Sequence, residues 1–261
     1  MRYLLLALFC LFALPAKAAE TAPFTATYGL YTGGVRMIEV TAKFDLQPAS
    51  YVTSINAKTV GLFSKLLPWS GKFDTTGVNP GYKPSAHNYA VTWMGNVDKA
   101  TFAYDPPGEF KSMTQTKKGV NVENPAGADI AAGTRDLLST VLVAFRQFDD
   151  KGTCAGDILT FDNARSFIVR FADAGETELN NDKLSAYTGP AHACTVEIIP
   201  QKGKWPKKPR GWLRIQQQAK EGGRLPVLWL ASPRPGLPAI PVRVDIHTKY
   251  GDVIAHLTAV Q

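Results

Sequence analysis

The sequence is poor in the residues from which most active sites are built. Its 261 residues include only 4 histidines and 3 cysteines. No Cys-x-x-Cys, His-x-His or His-x-x-x-His spacing occurs, which removes the usual zinc and thiol-redox signatures. No Gly-x-Ser-x-Gly is present either, so there is no nucleophile elbow. After Leu14 no stretch approaches the ~18 consecutive apolar residues of a membrane-spanning helix, and the remainder is expected to be soluble. Internal repeats and low-complexity linkers are also missing, which favours one domain over two.

What is there begins with an export signal. Arg2 supplies a positive start, Leu4 to Leu14 an apolar core, and Ala16-Lys17-Ala18 a small-x-small cleavage site. Residues 1–18 are read as a cleaved signal peptide and 19–261 as a single β domain. Cys10 follows Phe9, where a lipoprotein signal needs a small residue. Without Arg2 and Lys17 the 29 basic residues become 27 against 22 acidic, a net charge of +5. That is too mild for a dedicated nucleic-acid binder, so no nucleic acid is expected as a partner. Cys154 and Cys194 remain after cleavage. In an oxidising compartment they are predicted to form a disulfide; a metal pair or two free thiols are the alternatives, and no motif supports either.

One segment, Thr134 to Phe148, carries apolar residues at helical spacing: Leu137, Leu138, Val141, Leu142, Ala144, Phe145 and Phe148. Thr134 is the expected N-cap, with Asp136 in the first turn. Nearly everything else alternates as strand between Gly, Pro and Asn turns, including Ser185 to Tyr187 and Trp212 to Gln217. A lone apolar helix among strands must bury itself against a sheet. The expected fold is mainly β: a strongly curved antiparallel sheet, an open barrel or β-spiral, with one central helix in its concavity.

Candidate chemistry is sparse. Asp245, His247 and Lys249 share one strand face, and Asp252 and His256 follow a turn. An Asp–His pair suits general-base work, but nothing beside it supplies a nucleophile. His87 and His192 stand alone. No catalytic residue, metal site or cofactor is assigned. Two other stretches invite contact with a partner. Leu62, Phe63, Leu66 and Trp69 form an apolar lip after Gly61. Lys204, Trp205, Lys207, Lys208, Arg210 and Trp212 combine positive charge with indoles, which suits the headgroups of an anionic membrane surface.

Taken in order, several pieces resemble a known family. They are Tyr28-Gly29-Leu30-Tyr31 with Gly33-Gly34, Gly71 to Gly77 followed by Pro80 and Pro84, and Asp136-Leu137-Leu138-Ser139. Leu225 to Leu230 and Pro241 to Val244, with Gly251 and Leu257, complete the set. The chain resembles domain-of-unknown-function family 3108, exported proteins found mainly in Gram-negative bacteria. The resemblance implies a β-rich periplasmic protein and carries no activity or site residues. In architecture the chain is more distantly similar to periplasmic lipoprotein carriers and envelope-integrity β-spiral proteins, which fold a curved sheet around a helix.

The functional expectation is a non-catalytic periplasmic protein that binds an apolar or amphipathic envelope component, a lipid or a lipidated partner. Leu138, Leu142 and Phe145 would line its cavity, with the Leu62–Trp69 lip at the mouth. The alternative is a structural envelope-maintenance factor that binds a protein or peptidoglycan; a hydrolase using Asp245 and His247 is the third reading.

Overall fold

The computed structural model describes residues 22–122, 127–205, 207–208, 212–249 and 251–261. The expected signal peptide and Arg210 lie outside these residues, as does the side chain of Trp212.

The N-terminal half is a meander. It runs through β1 (Phe24–Thr32), β2 (Val35–Leu46), β3 (Ser50–Thr59), β4 (Trp69–Val78), β5 (Lys83–Trp93), β6 (Asn96–Asp105), β7 (Glu109–Lys117) and the short β8 (Val120–Asn121). A six-residue helix, α1 (Gly61–Leu66), interrupts it between β3 and β4. Two helices follow, α2 (Ala128–Ala131) and α3 (Leu137–Lys151). The second half comprises β9 (Gly156–Asp162), β10 (Arg165–Leu179), β11 (Gly189–Gly203), α4 (Trp212–Glu221), β12 (Val227–Ala231), β13 (Ile240–Thr248) and β14 (Gly251–Val260).

Among the described residues, 14 strands form one antiparallel sheet in the order β8-β7-β6-β5-β4-β3-β2-β1-β14-β13-β12-β11-β10-β9. The two halves meet at its middle, where β1 pairs with β14. The sheet does not close on itself, since β8 and β9 are its ends. It nevertheless bends until those ends approach. Phe102 on β6 meets Phe161 on β9 with ring centroids 5.8 Å apart, and Asn163 donates to the Tyr89 hydroxyl at 2.7 Å.

The long helix lies where this bending leaves room. Leu142, Ala144 and Phe145 share one apolar cluster with Phe24, Phe44, Phe167, Ile240 and Leu257, drawn from both halves of the sheet. Its cap is Asp136 and not Thr134, because the Asp136 carboxylate accepts from the N–H groups of Leu138 and Ser139. Gly152, at φ 67°, ends it in the left-handed conformation that glycine tolerates best. The cap is thus displaced by two residues from the expected one. Thr134 spends its hydroxyl on the Ala131 carbonyl instead. Arg135, just before the cap, adds a parallel bridge to the outer edge of β9: its N–H donates to Leu159 O, and its carbonyl accepts from Phe161 N–H. Part of an exposed edge is covered in this way.

Two expected strands are not strands. Ser185 to Tyr187 runs as irregular chain, with Ala186 N–H donating to Leu257 O at 2.7 Å. Trp212 to Gln217 belongs to α4. Leu213 and Ile215 mimic strand alternation, but the buried side chains are Gln216 and Ala219, spaced as on a helix face. Gln216 holds this helix against β11 by bonding both backbone groups of Ile198, at 2.5 and 2.8 Å. β12 pairs with β11 only from His192 to Thr195, so the amide stands in for the missing strand.

Candidate functional site

The sheet and the helix start are joined by a buried polar chain. Asp136 is 1% exposed. Its Oδ1 accepts from Thr75 Oγ at 2.8 Å and from the N–H groups of Leu138 and Ser139, and its Oδ2 accepts from Ser139 Oγ. Tyr51 OH lies 2.7 Å from Ser139 Oγ, and His87 Nδ1 lies 2.8 Å from Thr75 Oγ. Since Thr75 gives its only proton to Asp136, His87 must donate through Nδ1, which fixes its tautomer. Burial pushes the His87 pKa down, while the charges of Asp136 and Asp74 pull it partly back. The chain contains Ser, His and Asp, yet His87 contacts Thr75 and not Ser139. Ser139 is fully buried. Its chemistry is that of a clamp for the helix.

Below this clamp, α3 and the sheet leave a cavity of about 280 Å³. Leu138, Val141, Leu142 and Phe145 form the helix side of its wall. Tyr28, Leu30, Val40, Ala42, Phe44, Thr53 and Ile55 come from β1 to β3, and Pro241, Val244, Ile246 and Ala255 from β13 and β14. The wall is almost wholly apolar. Thr53 directs its hydroxyl to the Lys43 carbonyl, and burial raises the pKa of the Tyr28 phenol, which keeps it neutral. Such a wall offers van der Waals contact and no polar anchor.

Of the residues singled out in the sequence, Leu138, Leu142 and Phe145 come together here. Leu62, Phe63, Leu66 and Trp69 do not line the cavity. They sit beyond the end of β3, and α1 buries none of its residues. Within the described part of the basic segment, Trp205 is engaged and the lysines are free to meet solvent. Trp205 donates its indole N–H to Lys202 O and is partly buried. The Arg165 guanidinium lies 4.5 Å from its ring centre, and Phe167 meets it edge-on. Lys204, Lys207 and Lys208 are exposed.

The histidine and carboxylate candidates disperse. Asp245 is engaged by the Trp229 indole and by Arg243, whereas His247 pairs with Asp252 at 2.8 Å. His256 is buried beneath Tyr31, with its pKa lowered by burial. No base–nucleophile pair forms among these residues. Cys154 and Cys194 are joined in a disulfide that fastens the chain after α3 to β11. Asp173 and His192 stand beside it, 2.8 Å apart. These four form the one metal-like cluster among the described residues, but its sulfurs are spent on each other, and a disulfide is not the thiolate that a metal needs.

The order of short motifs noted above now has a frame: Asp136 to Ser139 builds the clamp, and Gly71 lets the rings of Trp69 and Phe73 lie close over the backbone. The family described as "Protein of unknown function (DUF3108)" matches residues 23–258, nearly all of the described fold. The chain belongs to the DUF3108 family. No curated protein matches it. Among solved structures, it is similar to a β-barrel-like protein of domain of unknown function DUF1849 from Brucella abortus. That likeness has a TM-score of 0.49 and 8% identity, over 94% of this chain and 99% of that one. Family membership therefore assigns no activity, and a reading of function has to come from the cavity.

The sequence missed Thr75 as the partner of Asp136, and His87 and Tyr51 as the next members of the same polar chain. They come from strands 49 or more residues away in the chain, and no local spacing marks them.

Proposed function

We propose that this protein is an exported, non-catalytic binder of an apolar or amphipathic molecule, and that the cavity between α3 and the curved sheet holds it. The sheet acts as an open barrel-like cup and α3 as a plug that fills one end. The observation that carries this reading is the cavity itself, about 280 Å³ with an almost entirely apolar wall. Enclosed apolar cavities of ~150 Å³ stay dry and take up benzene-sized hydrocarbons. This one is near the lower end of the ~300–1,000 Å³ typical of ligand pockets. That size suits one hydrocarbon chain or ring system, with any polar head left outside. A disulfide in the fold supports export, since disulfides persist in oxidising compartments.

The test is native mass spectrometry and lipid extraction of protein purified from the periplasm. A co-purifying amphiphile is expected, and it should be absent from Leu142→Trp, in which an indole occupies the space. If the wild-type protein emerges free of ligand and takes up no fatty-acid probe in solution, the reading is wrong.

A further inference from the structure

The two ends of the sheet differ in chemistry. At one end the hairpin connections β2–β3, β4–β5 and β6–β7 read Gln47-Pro48-Ala49, Asn79-Pro80-Gly81-Tyr82 and Pro106-Pro107-Gly108, with Tyr82 buried and Val78 exposed beside it. The Pro, Gly and Asn residues here serve tight, solvated turns. At the opposite end, the β1–β2, β3–β4, β5–β6 and β7–β8 connections each put large apolar side chains or their immediate neighbours into solvent. Leu62 and Leu66 are 67% and 60% exposed, Trp93 and Met94 50% and 53%, and Val120 69%. Val35 and Leu67 are exposed beside them.

These residues form one rim. Strand register places Thr59 beside Ile38, Trp69 beside Trp93, and Lys99 beside Thr116, so their turns share an end of the sheet. The Met94 N–H donates to Pro68 O at 3.1 Å, which joins the β5–β6 turn to the segment after α1. Val60 N–H likewise donates to Met37 O on β2. Nothing in the fold requires this apolarity: α1 has no buried residue, so Leu62 and Leu66 contribute little to the core. Clustered exposed apolar side chains of this kind mark a contact surface.

Charge and position indicate the partner. Lys65, Lys117 and Lys118 are exposed on the same rim, and an ammonium just outside an inserted apolar side chain lies at the depth of lipid phosphates. The cavity reaches this end as well. Leu30 and Ile246, both in its wall, are two residues from the ends of β1 and β13.

We infer that this rim docks onto a phospholipid bilayer, with Leu62, Leu66, Trp93 and Met94 entering the interfacial region and the lysines meeting the phosphates. The inference rests on the cavity reading for its purpose, since a docked rim brings the open side of the cup to the membrane from which an amphiphile would enter. The contact itself does not depend on that reading. Lys204 follows β11 at this same end of the sheet, because β11 connects through β12 and β13 to the start of β14 beside Thr32.

The experiment is co-flotation of the full chain with vesicles of phosphatidylcholine, with and without phosphatidylglycerol. Binding is expected, stronger with the anionic lipid and weaker at high salt. Fluorescence should be quenched by brominated acyl chains, and Trp93→Phe should reduce that quenching, with Trp69 beside it accounting for part of the remainder. The triple variant Leu62→Ser, Leu66→Ser, Trp93→Ser should weaken binding more than ~tenfold, because even partial insertion of three large apolar side chains exceeds the ~1.4 kcal/mol of one decade. Lys43→Glu with Lys111→Glu, toward the other end of β2 and β7, should leave binding within ~twofold of wild type. Vesicle binding that is absent, unchanged in the rim variant, or lost in the Lys43→Glu, Lys111→Glu variant overturns the inference. So does a rim-dependent dimer in sedimentation that ignores vesicles. Leu142→Trp separates the two readings: docking survives in it while uptake of a fatty-acid probe is lost.

Discussion

Asp136 Oδ1 accepts the hydroxyl proton of Thr75 at 2.8 Å while the same carboxylate caps α3. One side chain therefore fixes both where the helix begins and which strand it sits against. Removing it as Asp136→Ala leaves two buried hydroxyls and two N–H groups without their acceptor. Loss of the cap costs ~1 kcal/mol, and stranded buried donors cost ~1–3 kcal/mol more. A destabilisation of roughly 3 kcal/mol is expected, read as a lower urea midpoint at unchanged slope. Asp136→Asn, which keeps an acceptor oxygen, should lose less.

His87 makes the same clamp sensitive to acid. Burial lowers its folded pKa below the usual 6.5. The charges of Asp136 and Asp74 oppose that shift, and the Phe102 ring lies tilted at 57° to the imidazole with centroids 5.2 Å apart. With the folded pKa below the unfolded one, the unfolded chain binds the proton first as pH falls. Stability should be level above pH 7 and decline as pH drops through 6.5 toward the folded value. His256 carries a shift of the same direction from burial. Chemical denaturation across this range should show a shallower decline in His87→Gln, even if that variant is less stable throughout.

The Cys154–Cys194 bond closes a loop of 40 residues. In the chain-entropy model this stabilises by about 4 kcal/mol, a cost that reduction or Cys154→Ser with Cys194→Ser should incur. The unfolding midpoint with and without reductant measures it. A free-thiol assay on the native protein should find no titratable thiol from this pair.

Filling the cavity should separate stability from binding. Val141→Phe adds apolar volume on the α3 face that lines it. The unliganded protein should gain stability, up to ~1–2 kcal/mol, and lose affinity for any fatty-acid probe. Leu142→Ala should act oppositely on stability, costing ~2–5 kcal/mol by enlarging a space that is already there. Thermal melts beside probe titrations distinguish the two.

Gln216→Leu removes the amide that satisfies Ile198. The expected loss is ~1–3 kcal/mol, with faster hydrogen exchange at the Ile198 amide than at Cys194, which still pairs with Leu228.

The strands and the single long helix were legible because their signal is local. Alternation in Phe24 to Leu46 and helical spacing in Leu137 to Phe148 each fit in a short window. The start of α3 was misplaced because Thr134 and Asp136 are both good caps in sequence. Burial beside Thr75 decides between them, and that contact is 61 residues away. α4 was misread for a related reason: its inward face is Gln216 and Ala219, and a buried glutamine carries no hydrophobic period. The apolar wall of the cavity could be half anticipated from α3. The half supplied by β13 and β14 could not, since their contribution depends on β1 pairing with β14.

That central pairing has a consequence for assembly. The strands that join the two halves of the sheet are β1 and β14, the first and last in the chain order. The seam in the middle therefore cannot form until β14, the last strand of the described sheet, is available. Without that one pairing the sheet divides into an eight-strand piece, β8 to β1, and a six-strand piece, β14 to β9.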